Sequence, residues 1–390
     1  TTSLDAALSF DTESGVLEAE AGLTYDDLVS FALPRGWFPP VTPGTHRPTL
    51  GGSLATDVHG KNHHRDGSLS HHVLWLDLLT ASGEVLRCSP TENGDLFRAT
   101  AGGMGLTGII LRLGLQLARV PSAYIAEETL RAGSLEELMG ALEEGDREWR
   151  YTVAWLDGTA RGAALGRGVV FLGRHAEVEE LPIPLRGRPF SLPRWRAGTT
   201  PFVPPVSLVN RASIGAFNAA YLARVGRGGH RRSLVPLDRW FYPLDRLRHW
   251  NRLYGPRGFT QLQFVVPPDA GERAVRESLE TCRRSGFTPA LAVLKRLGEP
   301  GGLLSFPVPG WTLALDLPAR VGLETLLDRL HRMVLEQGGR VYLAKDAHLA
   351  PEVFRGMYPR FPEWLEIKRR VDPEDVFSSD LARRLRLSEP

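Results

Sequence analysis

At 390 residues the chain is long enough for two or three domains, and 42% apolar with 24% charged residues is the balance of a soluble globular protein. Forty-seven basic residues against 45 acidic ones leave a net charge of +2, too little on so large a surface to make a nucleic-acid backbone the partner. Two cysteines, Cys88 and Cys282, exclude a disulfide scaffold and a cysteine-ligated metal, and no uncharged run approaches the ~18 apolar residues of a membrane span.

In chain order, residues 16–21 alternate apolar and acidic side chains and predict a half-buried strand. Thr24 offers an N-cap hydroxyl, with Asp26 and Asp27 placed to favour the helix dipole. Leu28, Phe31 and Ala32 form that helix's apolar stripe, and Pro34 with Gly36 ends it. Residues 73–80 and 84–88, joined at Ser82-Gly83, predict a hairpin or two sequential strands. A short helix over 95–100 leads into a glycine-rich loop, 101–108, and an apolar strand over 107–117. The character changes near Pro121. An acidic amphipathic helix over 134–144 precedes an irregular proline- and arginine-rich stretch, 181–236. Residues 261–266 and 311–316 predict strands. Over 322–337, Leu323, Leu326, Leu327, Leu330 and Val334 share one helical face, stopped by Gly338-Gly339. Residues 341–344 predict a short strand, and the remainder predicts helix up to Pro390. No fixed period repeats. This order predicts an α+β chain of two lobes, with a crossover near residue 121 and a return near 340.

The densest segment is VTPGTHRPTLGGSLATDVHGKNHHRDGSLSHH, residues 41–72. Its glycines let the backbone approach a ligand and turn successive amides toward it, as suits a phosphate or an electron-rich heterocycle. Five of the eleven histidines cluster within residues 59–72 of it: His59, His63, His64, His71 and His72. A metal is the weaker reading, because adjacent histidines point apart on a strand and no carboxylate has the spacing of a zinc helix. His71 and His72 read as solvated loop residues; His59, between Val58 and Gly60, does not. The second loop, AGGMGLTG (101–108), lacks the strand–GxGxxG–helix order of a dinucleotide fingerprint. Two such loops in one lobe point to a flat, extended cofactor lying across backbone amides. Four of the 47 cations are lysine: Lys61, Lys295, Lys345 and Lys368. Where arginine is the default, a surviving lysine marks a place that needs a compact ammonium whose pKa can move.

GGSLATDVHGKNHH, LDLLTASGE, AGGMGLTGII, WNRLYGP, FTQLQFVVP, LSFPVPGW, YLAKD and VDPEDVFSSDLARRL together resemble the FAD-dependent decaprenylphosphoryl-β-D-ribose 2'-oxidases of cell-wall arabinan synthesis, within the vanillyl-alcohol-oxidase-like flavoproteins. The resemblance runs nearly end to end. It implies a FAD lobe of residues 1–123 and 340–390 around a substrate lobe, 124–339, with an antiparallel sheet. By position, Gly44, Thr49, Leu50, Gly51, Gly52, Thr56, Asp57, Val58 and His59 would line a non-covalent FAD, with Ile110 and Tyr342 packing on it. Lys61, Gln261, Gln263, Lys295, Tyr242 and Thr312 would face the sugar phosphate, and Lys345, His59 and Gln263 would serve catalysis. No metal is implied.

Three departures stand out. The family's opening RGxGRSYGD-like loop is not in this chain, which opens on Thr1 and reads as starting partway through a protein. The family's active-site cysteine is Ala314, with Thr312 in place of the asparagine before it. Its substrate-facing tyrosine aligns with Phe241, beside Tyr242. The substrate implied is a polyprenylphosphoryl-ribose whose lipid stays in a membrane, and the stretch 181–236 would cover that lipid. The partner implied is a short-chain NAD-dependent reductase that completes an epimerisation. No signal peptide is visible, so the expected location is the cytoplasm or the periphery of the cell membrane. The competing expectations are a sugar-lactone or alditol oxidase and a cofactor-free, non-catalytic remnant.

Overall fold

A computed structural model describes residues 3–193, 198–225 and 229–389. Five strands, β1 (Ala7–Phe10), β2 (Val16–Glu20), β3 (Val73–Leu79), β4 (Val85–Cys88) and β5 (Ile109–Gln116), make an antiparallel sheet in the order β1-β2-β5-β3-β4. The alternation of β2 sends Leu17 and Ala19 into the core and turns the acids outward. Gly83, at φ +85°, closes the β3–β4 hairpin. Helix α1 (Tyr25–Ala32) starts where the Thr24 hydroxyl accepts the Asp27 amide and ends at Gly36, φ +83°. Helices α2 (Leu50–Ala55) and α3 (Gly94–Thr100) complete this layer.

The chain then builds an eight-stranded antiparallel sheet: β6 (Tyr124–Ala132), β7 (Tyr151–Leu156), β8 (Gly168–His175), β9 (His230–Pro236), β10 (Phe259–Val266), β11 (Leu291–Leu297), β12 (Gly310–Pro318) and β13 (Arg340–Val341). Their spatial order is β9-β6-β8-β7-β11-β12-β10-β13. Alternation gives the sheet two chemically different faces. Leu262, Phe264, Leu313, Leu315, Ala292 and Leu294 are buried in the main core, under α4 (Leu135–Glu148), with α5 (Arg211–Arg224) and α6 (Leu237–Phe241) following in the chain, then α7 (Gly271–Arg284) and α8 (Leu323–Glu336). Gln261, Gln263, Thr312, Asp316 and Lys295 point to the opposite face. There α5 lays Tyr221 against Trp155, ring centroids 4.9 Å apart.

Helices α9 (Pro351–Met357), α10 (Phe361–Val371) and α11 (Asp380–Leu385) return to the first sheet's layer. Trp364 Nε1 donates to Ala99 O at 3.0 Å, and Arg370 pairs with Asp95, tying α10 to α3. Pro390 lies outside the described residues, as do Thr1 and Thr2.

Two expectations need correcting. The stretch 181–236 is not uniformly irregular: Asn210 caps α5 by accepting the Ala212 and Ser213 amides, and β9 pairs in full register with β6. Proline and arginine content hid a helix whose cap was legible. Residues 194–197 and 226–228 of that stretch lie outside the described residues. The strand expected over 341–344 is two residues long, after which Leu343–Lys345 is a 3-10 turn that swings Lys345 inward.

Candidate active site

The polar face of β10 and β12, the loop after α2 and the turn at 343–345 converge on one cluster. Lys345 Nζ donates to Gln263 Oε1 at 2.7 Å. An ammonium donates and never accepts, so Gln263 must present Nε2 elsewhere. That Nε2 donates to Thr312 Oγ1 at 3.0 Å and to His59 Nε2 at 2.8 Å. His59 Nε2 is therefore the acceptor, its proton sits on Nδ1, and this buried Nδ1–H has no protein partner among the described residues. Burial, followed by Lys295, His63 and Lys345, holds His59 well below the usual imidazole range, so it is neutral. Its ring packs against Phe306 at 5.3 Å and Tyr342 at 5.2 Å.

Three ammoniums surround this chain. Each lysine side chain is half-buried by area, while its charged end is deeply enclosed. Burial lowers Lys345 to about 8, with Asp316 opposing. It lowers Lys295 to about 7, helped by Lys345 and Lys61, and Lys61 to about 7, against Glu127. Lys295 has no hydrogen-bond partner among the described residues. Lys61 donates to Trp240 O and lies 4.0 Å over the Trp240 ring. Lys345 makes no ion pair with the adjacent Asp346 among the described residues; Arg384 holds Asp346 at 2.7 Å. The fourth lysine, Lys368, forms a buried structural ion pair with Asp372, the residue that follows α10.

The remaining expected residues divide. Tyr342 donates from its hydroxyl to Thr56 O at 3.0 Å and stacks on Phe306, bringing the C-terminal return against the α2 loop. Ile110 is buried in β5. Val58 is buried beside His59, and Gln261 donates to Asp316. Tyr242 lies in a buried aromatic cluster, its hydroxyl 2.6 Å from Thr42 Oγ1. The amides expected to cradle a cofactor are spent. Leu50 N donates to Leu23 O, Gly51 N to Ala21 O and Gly52 N to Thr49 Oγ1. Gly51 is glycine because a Cβ would stand 2.7 Å from the Ala21 Cβ. In the second loop, Gly102 N and Met104 N donate to Leu54 O and Ala55 O, so it braces α2.

Asp57 also has a different task. At φ +43°, it is fully buried and accepts from Ser68 Oγ at 2.7 Å, Ser305 Oγ at 2.5 Å and Ser70 N at 3.1 Å. That knot fastens the loop carrying Phe306 to the His59–Ser68 bridge. His63 is equally structural, Nδ1 accepting the Gly298 amide at 2.8 Å. His71 is exposed and caps a turn through Ser68 N, whereas His72 is half-buried on Asp66 O.

Sequence reasoning missed Asp316, Trp240, Phe306 and Ser305. Asp316 was within reach, since strict alternation from Thr312 through Ala314 puts it on the site face. Burial raises its carboxyl to about 6, opposed by Gln261 and Lys345. Trp240, on α6, and Ser305 and Phe306, on a loop, are placed by the packing of distant segments, which no local pattern encodes.

The cluster fits an electron-poor, anionic cofactor such as FAD on two observations: an orphaned Nδ1–H donor and an unpaired ammonium, both enclosed. Gly44 is exposed, and a Cβ there would meet nothing within 4 Å.

Residues 1–89 match the FAD binding domain family, and residues 319–385 match the D-arabinono-1,4-lactone oxidase family. The chain is 40% identical over 383 residues to decaprenylphosphoryl-beta-D-ribose oxidase of Mycolicibacterium smegmatis, covering 97% of this chain and 82% of that one. It is 38% identical over 375 residues to an uncharacterized protein in the mprA 5'region of Streptomyces coelicolor, covering 94% and 100%. A shorter similarity, 29% over 148 residues, reaches L-gulonolactone oxidase of Bos taurus, with 38% of this chain and 33% of that one.

Proposed function

The chain belongs to the decaprenylphosphoryl-β-D-ribose oxidase family, and from that premise we propose that it oxidises the 2'-hydroxyl of a polyprenylphosphoryl-β-D-ribose to the 2'-keto sugar, the first half of an epimerisation toward an arabinose donor for cell-wall arabinan. It is an FAD-dependent oxidoreductase of α+β, two-lobed vanillyl-alcohol-oxidase-like architecture. FAD, when bound, supplies the acceptor for the two electrons and the hydrogen that leave the alcohol carbon. In our reading residues 1–123 and 340–390 hold it, and 124–339 form the substrate lobe. A short-chain NAD-dependent reductase would complete the epimerisation. Among the described residues no helix is long and apolar enough to cross a membrane, and the lipid substrate places the protein at a membrane's periphery.

The observation that carries this reading is the chain Lys345–Gln263–His59. Its neutral His59 offers Nδ1–H to an acceptor atom of the cofactor. Lys345 and Lys295 supply positive charge where negative charge gathers in an enclosed site, where such preorganised groups act most strongly. Gln263, with both ends of its amide committed, fixes their relative positions, and Thr312 holds the amide in plane. Asp316, its carboxyl raised to about 6 by burial, takes the hydroxyl proton as the carboxylate at Oδ2 while Gln261 steadies Oδ1. Lys61, seated on Trp240, or Lys295 pairs with the phosphate.

The test is anaerobic mixing of the FAD-loaded protein with polyprenylphosphoryl-ribose and, separately, with an aldonolactone. Flavin bleaching by the former supports the proposal. Bleaching by the lactone alone replaces it with the lactone-oxidase reading that the match at residues 319–385 favours.

A further inference from the structure

Beyond the lysine site, a cavity of about 550 Å³ opens between the segment preceding α5 and the outer ends of β10 and β12, a size in the ~300–1,000 Å³ range of small-molecule sites. Its apolar wall is built by Val206, Val209, Ile214, Tyr254, Phe287 and Pro318. Among the described residues, charge enters through Arg211, Arg257 and Arg320 alone, all exposed, with no acid in the lining. An apolar interior with a wholly cationic rim suits an anionic amphiphile and opposes a neutral, water-soluble sugar.

Two further observations give the cavity a direction. Inward, it abuts the site already described. Pro318 pairs with Phe259 two residues beyond the Asp316–Gln261 pair, about 7 Å along the strands. Tyr254 stacks on Phe259 at 4.4 Å, and its phenol pKa is raised chiefly by burial and further by the nearby Asp316 carboxylate. Outward, the cavity runs into solvent-facing apolar residues. Val206, 69% exposed, lines it, and Phe202, Val203 and Leu208 are exposed around it in the chain. Large apolar side chains gathered in so short a segment, beside arginines, make a surface for an anionic bilayer.

We propose that this cavity is the passage by which the isoprenoid chain of a lipid-linked sugar phosphate runs from the lysine site to the bilayer, with residues 202–208 seated on the lipid and Arg211, Arg257 and Arg320 meeting anionic head groups. The inference rests on the proposed function for its substrate. Ile214 and Val209 line the chain's path, and Phe287, covered by the Arg320 guanidinium at 4.1 Å, forms its floor.

The test compares two probes on the FAD-loaded protein: farnesylphosphoryl-ribose, which carries three isoprene units, and methylphosphoryl-ribose, which carries none. Equilibrium binding, read by tryptophan fluorescence, should favour the farnesyl probe by at least about tenfold. Ile214→Trp, which fills the cavity, and Val206→Glu, which charges its exposed mouth without touching the core, should each erase that preference and leave methylphosphoryl-ribose affinity unchanged. A farnesyl preference that survives both substitutions overturns the passage. A wild-type protein that binds neither probe fails earlier, at the ribose reading itself, so the two failures are distinct. Cosedimentation with vesicles containing anionic phosphatidylglycerol is the second arm. Arg211→Glu with Arg257→Glu should reduce it at least about fivefold, and undiminished sedimentation would remove the head-group contact.

Discussion

The site turns on which atom of each residue is already committed. Because Lys345 can only donate, it fixes the Gln263 amide, which in turn fixes the His59 tautomer and leaves Nδ1–H free to meet a ligand. Removing the first member should loosen all three. Lys345→Ala is expected to slow flavin reduction by about 10²–10³-fold, the scale of losing one preorganised donor, while FAD absorbance is retained; stopped-flow reduction measures it, and an unchanged rate would take Lys345 out of the mechanism. Titration has a defined sign. Asp316, raised to about 6, must lose its proton to accept another, so turnover rises through pH 6. Lys345, lowered to about 8, must keep its proton to supply charge, so turnover falls through pH 8. A bell-shaped kcat profile follows, its limbs belonging to the interacting pair. Asp316→Asn should lose the lower limb, and a profile identical to wild type would assign that limb elsewhere.

At the scale of elements, the sequence was most informative where one residue controls one backbone event. The Thr24 cap, the Gly36 stop and the alternation of β2 were legible and appear as read. The rarity of lysine picked out Lys61, Lys295 and Lys345, and the structure gathers those three into one cluster. What stayed hidden depends on elements meeting. The glycines of 51–52 and 102–103 read as ligand cradles; the structure adds packing reasons for three of them, since Gly51 lies against Ala21 just past the end of β2, Gly102 against Ser305 and Gly103 against Ala99 and Trp364. The resemblance put Asp57 at the cofactor by position, and no local pattern showed that its carboxylate accepts from Ser305, 248 residues away. Asp57→Asn keeps the volume and tolerates positive φ but swaps an acceptor for a donor among hydroxyls. It should cost about 1–3 kcal/mol, measured by urea unfolding, and a loss within error would make the knot incidental. Trp364→Ala, which removes the ring bonded to Ala99 O, should cost about 3–5 kcal/mol. A smaller loss by the same measurement would show that α10 is held to α3 by other contacts.

For the molecule as a whole, segments far apart in sequence meet at one place. The loop after α2 brings His59, the face of β10 brings Gln263, and the C-terminal return brings Tyr342 and Lys345. No one segment contains the chemistry, so the resemblance along the chain was needed to foresee it and the packing was needed to assign roles. The most direct measurement is the visible spectrum of the FAD-loaded protein before and after anaerobic addition of polyprenylphosphoryl-ribose. The account predicts a band near ~450 nm that bleaches with substrate and bleaches far more slowly in Lys345→Ala. A protein that takes up FAD yet keeps its full absorbance with that substrate would contradict it.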